Sequence, residues 1–259
     1  MRQFDVFVFD ENYDEAQGKL PQPPFTDPEL GWFFTSDWNK HLDEIEGEWV
    51  IFAHPSIKIN RNFLNNVAEV TDSFPMVDAF APRIRTDKGK FLGSYLLKPA
   101  AKGSGFVEID ENAPLRYVAA PHPFLAVFSR RIIQRTGGFD TTLPEYARLA
   151  DFTLRMMHAG GKMFSVPYLV AQATNEEAET VVSNASSEKA CGLMGVRDLK
   201  STAIVLSKAF GAEASVPFAL HHPSVIPTLL SNRKQRKEKR KAATLLSKLK
   251  ADFLKEVTL

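Results

Sequence analysis

Cysteine occurs once in these 259 residues, as Cys191. A single thiol excludes an internal disulfide framework and a multi-cysteine zinc site, and it makes a cytoplasmic setting the default expectation. No run approaches the roughly 18 to 20 uninterrupted apolar residues that cross a bilayer. The opening MRQFDVFVFDENYDE meets acids too early for a secretory signal. No segment repeats another. Gly103-Ser104-Gly105 is too short for a phosphate-binding fingerprint, and His221-His222 lacks further ligands at metal spacing.

What is present is an ordinary globular composition, 44% hydrophobic and 24% charged, sufficient for a sizeable core in one large domain or one domain with an appendage. The net charge of +1 hides an asymmetry. Nine basic residues lie between Arg233 and Lys250 against one acid, Glu238, which leaves the remainder at about −7 by count. The tail reads either as a solvated helix face, with Leu245, Leu246, Leu249 and Phe253 as its apolar stripe, or as a surface helix that meets an anionic membrane. Nucleic acid is not expected as a partner, because the rest of the chain is acidic.

Along the chain, residues 4–10 (FDVFVFD) read as a buried strand ending in Asp10, followed by a polar turn containing Asp14. Prolines keep residues 21–28 extended. The spacing predicts a helix over residues 31–46, GWFFTSDWNKHLDEIE, with Ser36 or Asp37 as caps, closed by Gly47. Residues 48–53 (EWVIFA) form the next strand, which ends at His54-Pro55-Ser56. A short helix over 60–70, a strand over 78–84 and a lysine- and glycine-rich excursion over 85–105 follow. Trp32, Phe33, Phe34, Trp38 and Trp49 read as core rather than stacking platforms. Residues 175–259 read as mainly helical, broken by Pro217, Pro223 and Pro227.

The densest signals lie between Arg130 and Pro167. A basic helix stops at Gly137-Gly138, because glycine enters the left-handed conformation cheaply. A loop begins at Phe139-Asp140, and a second helix starts near Ala150. Asp151 then stands at the helix start, either as a cap and ion-pair partner or as a carboxylate available for chemistry. Arg155 lies within i,i+4 reach of it. Gly160-Gly161 release the chain into a strand ending at Val166-Pro167.

This order resembles the catalytic domain of family-2 glycosyltransferases. There a basic helix leads to G-G-F-D, a variable acidic loop, D-x-x-x-R on a helix, a glycine and a strand ending in V-P. The likeness extends back to residue 4, with Asn39 on the family's "a-x-N", Gly47-Glu48 on its "G-E", and the chain beginning at the family's second strand. It implies a three-layer α/β fold of the GT-A type, a mixed sheet flanked by helices over residues 1–172, with a helical C-terminal appendage over 173–259.

The same resemblance implies a transferase that moves a sugar from a nucleotide-sugar to a polysaccharide or lipid-linked acceptor at a membrane surface. It places Asp10, Asp14, Asn39, His54 and Arg155 on the nucleotide side. Asp10 reads equally as a strand-end turn residue. Two departures support the alternative of a catalytically degenerate binding or accessory protein. His54-Pro55-Ser56 replaces the acidic metal motif, so no metal site is expected, and Mn²⁺ or Mg²⁺ would enter only with activity. Arg148 and Leu149 replace the acidic pair that supplies the base, which leaves Asp151 and Glu145 as candidate catalytic carboxylates.

Overall fold

The computed structural model describes residues 3–10, 13, 23–98, 105–109, 112–173, 199–231, 237–238 and 251–258. Asp14 and most of Arg233–Lys250 lie outside these residues, as does the side chain of Glu145.

Eleven strands and seven α-helices are described. In chain order they are β1 (Phe4–Phe9), β2 (Leu30–Thr35), β3 (Trp49–Ala53), β4 (Ile57–Lys58), α1 (Arg61–Ser73), β5 (Ala79–Arg85), β6 (Phe91–Leu92), β7 (Tyr95–Leu97), β8 (Phe106–Glu108) and β9 (Arg116–Tyr117). They continue with β10 (Leu125–Ser129), α2 (Arg130–Thr136), α3 (Glu145–His158), β11 (Met163–Ala173), α4 (Leu199–Phe210), α5 (Ala212–His221), α6 (Ile226–Leu230) and α7 (Ala251–Glu256).

The main sheet runs β2-β1-β3-β10-β5-β11-β4, with β6 added to β5 and β9 to β11. β1 is parallel to both β2 and β3, β10 is antiparallel to both β3 and β5, and β5 is parallel to β11. The apolar runs WVIFA and LAVFS are buried at every position, as strands covered on both faces must be. Helix α1 covers one face through Phe63, Leu64, Val67 and Val70. Helices α2 and α3 cover the other through Ile132, Ile133, Phe152 and Met156. The expected three-layer mixed α/β architecture is present.

Two expectations fail. Residues 31–46 are not a helix: Leu30–Thr35 pairs with β1 along its whole length, and only a 3-10 turn, Leu42–Glu44, follows. The alternation in Gly-Trp-Phe-Phe-Thr decides this, because Trp32 joins the α1 side of the sheet while Phe33 stacks on Phe7 at 4.6 Å on the opposite side. Helix α3 also begins at Glu145 after Pro144, earlier than expected, so Asp151 sits inside the helix and caps nothing at its start.

The C-terminal helices join the body of the protein. Ala147, Ala150, Leu154 and Met157 of α3 share a core with Val205, Leu206 and Ala209 of α4 and Phe218 of α5. Beyond α7, Val257 is fully buried and its carbonyl accepts from the Leu97 amide at 2.8 Å.

Candidate functional site

The residues that carried the resemblance converge on the loop between α2 and α3. Gly137 has φ +81°, and Gly138 approaches Asn39 so closely that a Cβ would lie 2.4 Å from its Oδ1. Asn39 brackets the next residue: its Oδ1 accepts from the Phe139 amide at 2.7 Å, and its Nδ2 donates to the Phe139 carbonyl at 3.0 Å. Phe139 is thereby pressed against Trp38, Phe52 and Phe152, with ring centroids 4.7–5.0 Å apart. Arg155 donates to the carbonyls of Thr136 (3.1 Å) and Gly138 (2.9 Å), closing the exposed end of α2.

Asp151 is 2% exposed and lies at the centre of a four-charge cluster. One oxygen accepts from Arg155 Nε at 2.9 Å, and the other from Lys208 Nζ at 2.5 Å. Lys208 also reaches Asp140 at 2.6 Å. Two carboxylates and two cations balance within the fold, the condition under which buried charge is tolerated. Both oxygens of Asp151 are therefore engaged by cations, which makes it a fastener between α3, α4 and the loop. The sequence pointed to Asp151 and Arg155 as partners but not to Lys208. The available signal was a lysine among the small and apolar residues of LKSTAIVLSKAF.

At the carboxyl end of β3, His54 Nδ1 accepts from the Ser56 amide at 3.1 Å, and the Ser56 hydroxyl lies 2.6 Å from the same nitrogen. Two donors on Nδ1 leave the ring proton on Nε2. The ring stacks on Phe124 at 4.4 Å. Burial pushes His54 below the usual histidine range, with the Asp10 carboxylate opposing. Beneath it, His122 is fully buried and pushed down to about 3, first by burial and then by His54. Its Nδ1 accepts from the Phe124 amide at 3.3 Å, and its Nε2 has no partner among the described residues.

Among the described residues no group of three His, Cys, Asp or Glu side chains is placed to hold a metal ion. A hard divalent cation wants several oxygen ligands, and one histidine already satisfied by its own turn does not provide them. The donor set at His54–Ser56 does not fit Mn²⁺ or Mg²⁺. Aromatic packing by Phe9, Trp38, Phe52 and Phe124 leaves no room for a ligand between His54 and Leu149 of α3.

Open space lies on the other side of this edge. A cleft of about 400 Å³ at the carboxyl ends of β1 and β2 is lined by Asp10, Tyr13, Trp32, Phe34, Pro55 and Lys58, with smaller apolar contributions. Trp32 and Phe34 stack nearly parallel at 6.2 Å, and Phe25 supports Trp32 edge-on at 5.7 Å. The buried Trp32 Nε1–H has no acceptor among the described residues. Of the sequence candidates, Asp10 lines this cleft and His54 stands at the neighbouring strand end, whereas Asn39, Asp151 and Arg155 hold the loop. The sequence does not single out Trp32, Tyr13 and Lys58 as ligand-binding residues: it reads Trp32 as the core side of a helix, and only pairing in β2 places it beside the cleft.

Known structures resemble this one. GalNAc-T7 with UDP, GalNAc and Mn²⁺ matches at 11% identity and TM-score 0.52, over 93% of this chain and 54% of that one. The mannosyltransferase PcManGT from Pyrobaculum calidifontis, in complex with GDP-Man and Mn²⁺, matches at 14% identity over 99% and 84% of the two chains, with TM-score 0.48. S. aureus TarS 1–349 with UDP-GlcNAc matches at 14% identity over 93% and 79%, with TM-score 0.46. No protein-family model and no curated protein matches the sequence. The fold is that of the GT-A glycosyltransferases, and the first similarity carries that assignment. This chain spans about half the length of the GalNAc-T7 chain. Among the described residues no helix is long and apolar enough to cross a membrane.

Proposed function

We propose that this chain is a GT-A-fold protein that binds a nucleotide-sugar, or its nucleoside diphosphate, in the Trp32–Phe34 cleft, without the metal-dependent transfer chemistry of its fold relatives. The observation that carries this reading is a cleft of about 400 Å³ walled by Trp32 and Phe34, with the Asp10 carboxylate and the Lys58 ammonium in its lining. A nucleobase supplies a planar face for the aromatic walls. Asp10 offers an acceptor for ribose hydroxyls, and Lys58 a point charge for phosphate. Pockets of this kind at the carboxyl edge of parallel strands are the usual ligand sites of open α/β sheets.

The missing chemistry follows from the same edge. His54 and Ser56 satisfy one another, and Asp151 is 2% exposed with each oxygen on a cation, which supports a role in holding the fold rather than in meeting an acceptor. A glycan acceptor would bind as a second ligand and remain unreacted. The transferase alternative rests on Glu145, the first residue of α3.

The test is thermal shift and calorimetry with UDP, GDP and their sugar conjugates, with and without Mn²⁺. A diphosphonucleoside should raise the melting temperature without metal. Trp32→Ala, which removes the aromatic wall, should weaken binding about tenfold or more. Failure of every nucleotide to stabilise, or equal binding by Trp32→Ala, overturns the reading. Sugar transfer abolished by Glu145→Gln would establish the transferase instead.

A further inference from the structure

A second concavity lies at the opposite end of the sheet. Strand β10 runs antiparallel to its neighbours, so Leu125 stands beside Ala53 and the His54 edge while Phe128 pairs with Ala79 at the start of β5. At that far end an open trough of about 610 Å³ forms between the turn after α1, helix α2 and the start of β11. Its floor is aromatic: Phe164 packs on Tyr117 at 4.2 Å and edge-on against Phe74 at 5.5 Å. On its rim Met76 is 85% exposed, the highest of the large apolar side chains described, and Leu115 is 37% exposed.

The charge around this floor is one-sided. Arg131 and Arg135, one helical turn apart on α2, form one wall, and Lys162 faces them. Among the described residues the only carboxylate lining the trough is Asp78, which Arg131 holds at 2.6 Å. Arg135 donates to the Ala159 carbonyl, and Lys162 lies over Tyr117 and Phe253 at 5.3 and 5.6 Å. Neither has a carboxylate partner among the described residues.

We infer that this trough docks an acidic, apolar-bearing segment of a partner protein. Its apolar side chains would enter the Phe74–Tyr117–Phe164 floor, and its carboxylates would meet Arg131, Arg135 and Lys162. Methionine, arginine and aromatics together are the composition of a protein-binding surface, and methionine adapts to side chains of differing shape. The exposed Met76 and Leu115 favour a chain over a small anion, which would leave both in water. The surplus of cations sets the sign of the partner's charge. This inference does not rest on the nucleotide cleft.

The test uses the full chain and fluorescence anisotropy with three short labelled peptides. One alternates acids with leucine and phenylalanine, one replaces those apolar residues by alanine, and one replaces the acids by lysine. The first should bind saturably and weaken with salt. Lys162→Glu and Arg135→Glu should each weaken it about tenfold, and Met76→Glu by a similar factor. All three positions are exposed, so the melting temperature should hold, as should stabilisation by nucleoside diphosphate. The idea fails if the first peptide does not bind, if binding is unchanged in the variants, or if the alanine peptide binds equally. It also fails if phosphatidylserine vesicles, and no peptide, respond to these substitutions.

Discussion

Acidification should unfold this protein partly through a single ring, His122. It is fully buried and its pKa is pushed down to about 3, whereas in the unfolded chain it returns to about 6.5. Because the folded value is the lower one, the unfolded state takes up the proton first as pH falls. Stability is therefore complete above about 6.5 and is lost progressively between there and about 3. Between about pH 7 and about pH 5 the linkage amounts to about 2 kcal/mol, at about 1.4 kcal/mol per unit once the unfolded ring is mostly charged. His54, lowered by burial as well, adds in the same direction, while the Asp10 carboxylate that faces it works against the shift. For a chain of this size about 2 kcal/mol corresponds to a melting-temperature loss of roughly 4–8 °C. His122→Asn keeps an acceptor for the Phe124 amide and removes the titration. Urea denaturation across this range should give a steeper fall for the wild type than for the variant, by about that amount. Parallel pH profiles, or an NMR titration placing His122 near its ordinary value in the folded protein, would refute the reasoning.

The remaining predictions concern the loop fastening and the β3 edge. Lys208→Met leaves Asp151 and Asp140 without their shared ammonium and should cost about 3–5 kcal/mol in a denaturant melt, with part recovered when Asp151→Asn is added; wild-type stability would show that the cluster does not hold α4 to α3. Gly138→Ala drives a methyl into Asn39 Oδ1 and should cost about 1–3 kcal/mol, relieved in an Asn39→Ala background. Additive losses in that pair would mean that the close approach is not the cause. Mn²⁺ titrated alone by calorimetry should give no saturable heat, and micromolar affinity abolished by His54→Ala would restore a metal-dependent reading of this edge.

Much of the fold was legible because periodicity and turn chemistry are local. The apolar runs at 4–9 and 49–53 and the Gly137-Gly138 stop each declare themselves within a few residues. The stretch over 31–46 misled because its aromatics suit a helix face or a strand, and only pairing with β1 chose between them. Asp10 and His54 were placed correctly at strand ends, since a strand's exit is visible in its flanking residues.

The roles were not legible. By itself the sequence determined the alternation of strands and helices, the absence of paired acids after β3, and the i,i+4 partnership of Asp151 with Arg155. Tertiary structure alone decided that Lys208, arriving from 57 residues further on, completes the charge of Asp151, that Asn39 clamps Phe139 across the chain, and that Trp32 lines a cleft. The division has one physical reason. Backbone conformation is biased mainly by neighbours in sequence, with tertiary pairing deciding ambiguous stretches such as Leu30–Thr35, whereas the surroundings of a carboxylate are set by what lies within about 3 Å in space.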